Sequence, residues 1–215
     1  RRLGFAARGL RWEGDKPATG IQAAARAARY TLIGDAMAAD GAVALVTAHH
    51  LEDQAETVLM RLAHGSGLEG LKGMRKVAEI AGLTLLRPLL GVSRGELAEV
   101  VAAAGLTPVA DPGNTDETYE RVRWRRMLPE LAALGLTSQR LALFAARAAE
   151  ADAALSGLAS EAWAQAVRSD DAGGLAIRRP ELLRQYRAIG LRVLSRRLDQ
   201  VGGGMKRRDL GSVEA

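Results

Sequence analysis

Apolar positions occur along this chain in two textures: short unbroken runs, and longer stretches where they recur every three or four residues. From Gly20 onward Ile21, Ala25, Ala28 and Leu32 fall at i, i+4, i+7 and i+11, one face of a helix that Gly41 closes. Ala42-Val43-Ala44-Leu45-Val46 follows as a run of strand length, predicting a buried strand over about 42–48. A second helix is predicted from about Leu51 to Leu62 and stops at Gly65-Ser66-Gly67. Leu83 to Leu86 reads as another strand. Ser93 with Glu96 forms a capping box for a helix over 94–104, closed by Gly105. Thr137 or Ser138 caps a long helix whose apolar positions include Leu141, Phe144, Ala148, Leu155 and Leu158. Leu175-Ala176-Ile177 reads as a strand, and Pro180 suits the first turn of a helix running to about Gln200. At the start of the chain, residues 1–4 read as the tail of a helix, Phe5 to Trp12 as a strand and Gly14-Asp15-Lys16-Pro17 as a turn.

Short apolar runs alternating with amphipathic helices imply an α/β fold, a doubly wound parallel sheet with helices on both faces. A helical linker and a small α+β or α-helical element are expected to follow it. The predicted division is a partial catalytic domain over 1–135, a linker helix over 136–172 and the start of an accessory domain over 173–215. Ser169-Asp170-Asp171-Ala172-Gly173-Gly174 marks the second boundary, and Gly202-Gly203-Gly204 with a polar tail ends the chain. No internal repeat is visible. No apolar run approaches the roughly 18 residues of a bilayer span, so a soluble, cytoplasmic protein with no membrane contact is expected.

Composition narrows the chemistry. The 215 residues include no cysteine, which excludes disulfides, cysteine-based zinc sites and thiol catalysis within this chain. The formal charge is +5 and the isoelectric point near 10.1, a balance that suits a polyanion. Basic residues cluster at Arg121, Arg123, Arg125 and Arg126, and again from Arg178 to Arg208. Nucleic acid is the partner this favours; arginine faces that are merely solvated are the plainer alternative.

The polar run His49-His50-Leu51-Glu52-Asp53-Gln54-Ala55-Glu56-Thr57 sits where the predicted strand at 42–48 hands over to a helix. Ligands of open α/β sheets bind at strand carboxyl ends, and helix N-termini attract anions. If the helix starts near His49, then His49 and Asp53 project about 40° apart and act on one ligand, with His50 and Gln54 on the adjacent row. A carboxylate beside a histidine can hold a divalent metal, orient an imidazole or steady a cationic amine. Gly65-Ser66-Gly67, with Gly70 and Gly73 beyond, either brings backbone N–H groups to a phosphate or nucleobase or simply closes helices. Arg26 and Arg29 lie on the polar side of their helix. Arg121, Arg123 and Arg125 alternate, so an extended backbone would aim all three one way and a helix would spread them; either could clamp phosphates. Three signatures are missing: the P-loop Gly-x-x-x-x-Gly-Lys-Ser/Thr, a Gly-x-Gly-x-x-Gly after a strand, and His-Glu-x-x-His.

Thr47 to Thr57, then Arg61-Leu62-Ala63-His64-Gly65-Ser66-Gly67-Leu68-Glu69-Gly70-Leu71-Lys72-Gly73-Met74, closely resembles the bacterial tRNA(Ile)-lysidine synthetases. Arg87-Pro88-Leu89-Leu90, Asp111-Pro112-Gly113-Asn114-Thr115-Asp116 and the arginine-rich segment ending in Leu128-Pro129 follow in that family's order, so the likeness covers about Gly20 to Leu131. It implies a PP-loop ATP pyrophosphatase with an adenine-nucleotide α-hydrolase-like sheet. The implied reaction uses ATP and Mg²⁺ to adenylate C2 of the wobble cytidine of tRNA(Ile) bearing a CAU anticodon. Free L-lysine then displaces AMP. The resemblance places His49, Asp53 and Arg29 in catalysis, with Asp53 also toward the metal. His50, Glu52, Glu56, Thr57, Gly65, Ser66 and Gly67 fall to ATP and lysine binding, and Arg121, Arg123 and Arg125 to tRNA.

The sequence departs from that family in three places. The Ser-Gly-Gly-x-Asp-Ser loop that cradles pyrophosphate is absent, which reads as truncation and predicts a chain inactive by itself. Glu52 stands where Asp is usual, and Val122 replaces an Asn between the arginines. A related PP-loop tRNA thiolase and a non-catalytic tRNA-binding fragment are the alternatives. A homodimer is left open beside a monomer.

Overall fold

Helix ends and one tight turn organise the first part of the chain. The computed structural model describes residues 4–109, 111–169 and 174–201. These fall into two compact units, one comprising residues up to His50 with Arg75–Val100 and the other Leu51–Met74 with the chain from Val101 onward.

In the first unit, α1 (Ile21–Asp40) is closed at Gly41, where the N–H groups of Gly41 and Ala42 donate back to Ala38 and Met37. β1 (Leu45–Val46), β2 (Val77–Ile80) and β3 (Leu83–Leu86) form one sheet in the order β1-β3-β2. β1 pairs parallel with β3, Leu45 opposite Leu85, while β2 pairs antiparallel with β3, Val77 opposite Leu86. A parallel sheet was expected, and β2 makes the described sheet mixed. The reason is local: Ala81 and Gly82 both take positive φ (51° and 76°), the two-residue turn whose twist suits a hairpin. Leu85 is fully buried, and Thr47 N–H donates to Leu86, carrying the ladder past the end of β1. α4 (Arg94–Ala103), mostly in this unit, starts at the expected capping box: Ser93 N–H and Oγ donate to the Glu96 carboxylate, and Glu96 N–H donates to Ser93 Oγ.

Two expectations fail here. Phe5 to Trp12 is irregular rather than a strand, and Phe5 is exposed. No described strand lies alongside to complete its ladder, and alternation alone cannot hold an unpaired strand. The predicted helix tail over 1–4 lies outside the described residues except Gly4, which is a bend.

The second unit is helical. α2 (Leu51–Ala63) packs Ala55, Val58 and Leu59 against Leu128 of α5 (Glu120–Ala133) and against Leu141 and Ala145 of α6 (Ser138–Ala166). α3 (Leu68–Leu71) is a single turn. Thr137 caps α6 by accepting from the Arg140 N–H. The buried stripe of α6 runs Leu141, Ala145, Ala148, Asp152, Ala159, Ala162 and Ala166, so Phe144 and Leu158, expected on the core face, are exposed. Small alanines let neighbouring helices approach closely, and that outweighs burying the larger side chains one position away.

β4 (Val167–Ser169) and β5 (Leu175–Ile177) form a separate antiparallel pair. The helix expected from Pro180 to Gln200 is two helices, α7 (Arg179–Leu183) and α8 (Arg187–Val201). The break lets Leu182 and Ile189 both reach the cluster of Ala159, Ala162, Val167 and Val193, with Gly190 passing close to Leu182. The segment 170–173 within the predicted boundary and the Gly202–Gly204 tail lie outside the described residues. Among the described residues no helix is long and apolar enough to cross a membrane.

Candidate functional site

The predicted site residues divide between the two units. Arg29 (α1), His49 and His50 belong to the first; Glu52, Asp53, Glu56, Thr57, the glycine segment and the arginines belong to the second. α2 begins at Leu51, so neither histidine lies in the helix, and the condition for the i, i+4 rows, a helix starting near His49, is not met.

In the first unit Arg29 is exposed on α1, one turn from Arg26, whose guanidinium lies 5.2 Å from the centre of the Tyr30 ring. His49 is half-buried with its Nδ1 2.8 Å from Thr47 Oγ1. When the hydroxyl donates, Nδ1 stays unprotonated and the proton resides on Nε2.

In the second unit eight of the first nine residues of α2 are buried, Asp53 and Glu56 among them, while Glu52 is half-buried. A carboxylate taken out of water needs charged partners, and α5 supplies them. Because α5 is a helix, Arg121 and Arg125 share one face while Arg123 turns away, donating to the carbonyls of Glu117 and Thr118. Glu56 is completely buried. Arg125 meets it as a fork, Nε donating to Oε1 at 2.7 Å and Nη2 to Oε2 at 3.2 Å. Arg121 Nε lies 3.3 Å from the same Oε2, and its Nη2 donates to Thr57 Oγ1. Thr57 in turn donates to the Asp53 carbonyl one turn back. Arg125 Nη2 also lies 3.6 Å from Asp53 Oδ1. The Glu56 hydrogen bonds hold the Arg125 guanidinium above its ordinary pKa, against the opposing pull of burial, with Asp53 and Glu52 adding to the field. Despite these ties the Arg121 side chain stays 40% exposed and Arg125 27%, although Arg121 Nε itself is buried.

The glycine segment is built rather than loose. Gly65 and Ser66 N–H groups donate to Leu62 and Arg61 carbonyls, closing α2. Arg61 Nη1 donates to the carbonyls of Gly70 and Gly73. Desolvation lowers the pKa of Arg61. Gln54 makes two bonds with Met74, one to its carbonyl and one from its N–H. Gly73, at φ 64°, leaves no room for a Cβ, which would stand 2.7 Å from Gln54 Nε2. At the far end of α2, His64 Nε2 lies 3.1 Å from Glu120 Oε1, which also accepts from Trp124 Nε1.

Sequence reasoning missed Arg61 and Gln54 as anchors of this segment, and it treated Glu56 as a ligand-facing group. The sequence carried little signal for this: the apolar positions of α2 are 51, 55, 58 and 59, and Glu56 lies beyond the edge of that face. Among the described residues no group of three His, Asp or Glu forms a metal cage. Magnesium needs no such cage when phosphates supply oxygens, and one or two carboxylates suffice.

Comparison with known proteins follows the same residues. The family model described as "PP-loop domain" matches residues 1–131. The chain is 48% identical over 214 residues to a tRNA(Ile)-lysidine synthase of Methylobacterium nodulans, covering 96% of this chain and 61% of that protein. It is 44% identical over 210 residues to the protein of that name from Rhodopseudomonas palustris, covering 97% and 60%. A third, from a Methylobacterium species, is 44% identical over 207 residues, covering 96% and 60%. The chain thus spans about 60% of the length of these curated relatives.

Proposed function

This chain belongs to the PP-loop domain family, and from that membership we propose that it is the larger part of an enzyme that forms lysidine on tRNA(Ile) with a CAU anticodon. The observation that carries this reading is the 48% identity over 214 residues to a curated lysidine synthase. ATP, with Mg²⁺, and free L-lysine are its co-substrates. In the first step the C2 oxygen of the wobble cytidine attacks the α-phosphorus of ATP and pyrophosphate leaves. In the second the lysine side-chain amine attacks C2, the C2–O bond to AMP breaks, and the amine loses its proton.

The roles follow from charge and burial. Arg121 and Arg125, cationic and partly exposed, meet phosphate oxygens of nucleotide or tRNA, where planar forks are effective. Glu56 and Thr57 act through those arginines as positioning residues, which moves them from the ligand-binding set to its support. Asp53 is the carboxylate for the Mg²⁺ that neutralises the triphosphate, or for the lysine ammonium before it is deprotonated. His49, held by Thr47 with Nε2 carrying the proton, donates to a developing negative charge. His50 and Arg29 of the first unit and Glu52 of the second are the further polar residues this reading assigns to ATP, lysine and catalysis. The glycine segment supplies a shaped surface, since the N–H groups of Gly65 and Ser66 are committed to helix closure. Arg123 contacts tRNA from the other face of α5. The doubly wound parallel sheet, the division at 135 and 172, and a cytoplasmic location belong to this same reading of the whole protein.

The test is mass analysis of the wobble nucleoside after the complete gene product is incubated with ATP, Mg²⁺, lysine and a tRNA(Ile) transcript. Lysidine is expected, and its loss on His49→Ala and Asp53→Ala. An unmodified cytidine with tRNA still bound would leave only the non-catalytic reading.

A further inference from the structure

The long helix α6 carries two separate apolar clusters and one buried charge between them. Its N-terminal half gives Leu141 and Ala145 to the cluster of α2 and α5. Its C-terminal half gives Ala159 and Ala162 to the cluster of β4 and α8. Asp152, at the centre of the helix, is the acid on an otherwise small and apolar stripe, and it is 7% exposed. Its two oxygens face opposite ways. Oδ2 accepts from Lys72 Nζ at 2.7 Å, and Oδ1 lies 2.8 Å from Arg192 Nη2. Lys72 is the C-cap of α3 and sits inside the glycine segment; Arg192 is on α8.

Each cation arrives through a second tie. Lys72 follows Gly70 and precedes Gly73, the two residues whose carbonyls accept from Arg61. Arg192 Nη1 donates to Ser156 Oγ, and one turn on Arg196 donates to Ser160 Oγ and stacks 5.1 Å over the Trp163 ring. A buried carboxylate between two cations is stable only while both stay, since losing one leaves an incompletely compensated charge out of water. The seating of α8 and the placement of the glycine segment therefore share one anion.

We propose that Asp152 is a positioning residue that couples the placement of the glycine segment, residues 64–74, to the seating of α8 on α6. Its bearing on catalysis rests on the lysidine-forming reading, in which that segment is a wall of the site. Arg184, the C-cap of α7, and Arg187 of α8 are exposed, so a polyanion bound there would act on the glycine segment through the same anion.

The test uses hydrogen exchange on the complete protein with Arg192→Met, a change that touches no residue of the glycine segment. The amides of Gly70, Leu71, Gly73 and Met74, all hydrogen-bonded here, are expected to exchange about fivefold faster, as would follow from roughly 1 kcal/mol of lost local stability. Arg192→Lys, which keeps a cation, is expected to restore most of the protection. Lysidine assays on the same proteins should show a raised KM for lysine with kcat changed less. Wild-type protection at those four amides while α8 alone loosens would overturn the coupling. Should Arg192→Met fail to fold, Lys72→Met read at α8 runs the test in reverse, with unchanged α8 protection as the contrary result. If the wild type makes no lysidine, the functional reading falls while the exchange result still decides the coupling.

Discussion

Glu56 and Asp152 are both buried carboxylates set between two basic side chains in the same helical unit, and they leave those cations in opposite conditions. At Glu56 the cations are partly exposed, Arg121 40% and Arg125 27%. At Asp152 they are more nearly shut in, with Lys72 22% and Arg192 11% exposed. The first arrangement spends one anion to fix the direction of two guanidinium groups that remain able to meet another anion. The second spends one anion to join three helices. Burial of the acid is common to both, so it does not separate a ligand site from a structural joint. The two nodes differ chiefly in one cation each, Arg121 at 40% exposed against Arg192 at 11%.

The largest expected effect is at the open node. Glu56→Ala leaves two arginines facing a fully buried gap, and breaking such a pair costs on the order of 3–5 kcal/mol. Thermal unfolding should register it as a drop of many degrees, together with loss of lysidine formation. Asp152→Asn keeps the shape and removes the charge, so a smaller cost, on the order of 2 kcal/mol, is expected in denaturant unfolding.

Acid titration sharpens the contrast at Asp152. Burial alone would raise its pKa, but hydrogen bonds from Lys72 and Arg192, with their charges, outweigh that and hold it below the ordinary 3.8. The folded value is thus below the unfolded one. The node's contribution is present above the unfolded value and lost as pH falls below it through the folded value. Wild type and Asp152→Asn should therefore differ in stability at pH 7 and converge below about pH 4. A gap that persists at low pH would show that the carboxylate's charge is not what joins the helices.

The smallest effects belong to single arginines. Arg121→Met should weaken nucleotide binding as well as tRNA binding, and lower the salt slope of the latter's logarithm by about one ion. Arg123→Met, on the other face of α5 and tied to backbone carbonyls, should leave the slope of nucleotide binding unchanged. Equal losses for the two variants in nucleotide affinity would erase the distinction between the faces of α5.

The contrast between the nodes was only half legible in the sequence. Helices α1, α2, α4 and α6 announced themselves through spacing and end signals, because Gly41, Ser93 with Glu96 and Thr137 act on neighbouring backbone. Leu83–Leu86 and Leu175–Ile177 were also legible as apolar runs. The hairpin strand Val77–Ile80 was not, since four residues with Glu79 among them carry little pattern and the turn places alanine at positive φ. The break between α7 and α8 depends on packing against a cluster assembled from distant segments. Residue types of the site could be read from Thr47 to Thr57, but their division of labour could not. That Glu56 faces inward while Arg121 and Arg125 come to it follows from the pairing of α2 with α5, residues 69 positions apart. Asp152 did carry a signal, a lone acid on the alanine stripe of a long helix. It was obscured by taking Phe144 and Leu158 as the core face.

The most direct test of the open node measures lysidine formation and thermal unfolding on the same preparation of Glu56→Gln in the complete gene product. This variant keeps the side chain's shape but leaves a single acceptor oxygen, its amide nitrogen facing an arginine donor, and removes the charge that aims both arginines. The account predicts a rate at least about tenfold lower, equivalent to 1.4 kcal/mol of transition-state stabilisation, in protein that remains folded at the assay temperature. A folded Glu56→Gln enzyme working at the wild-type rate would contradict it.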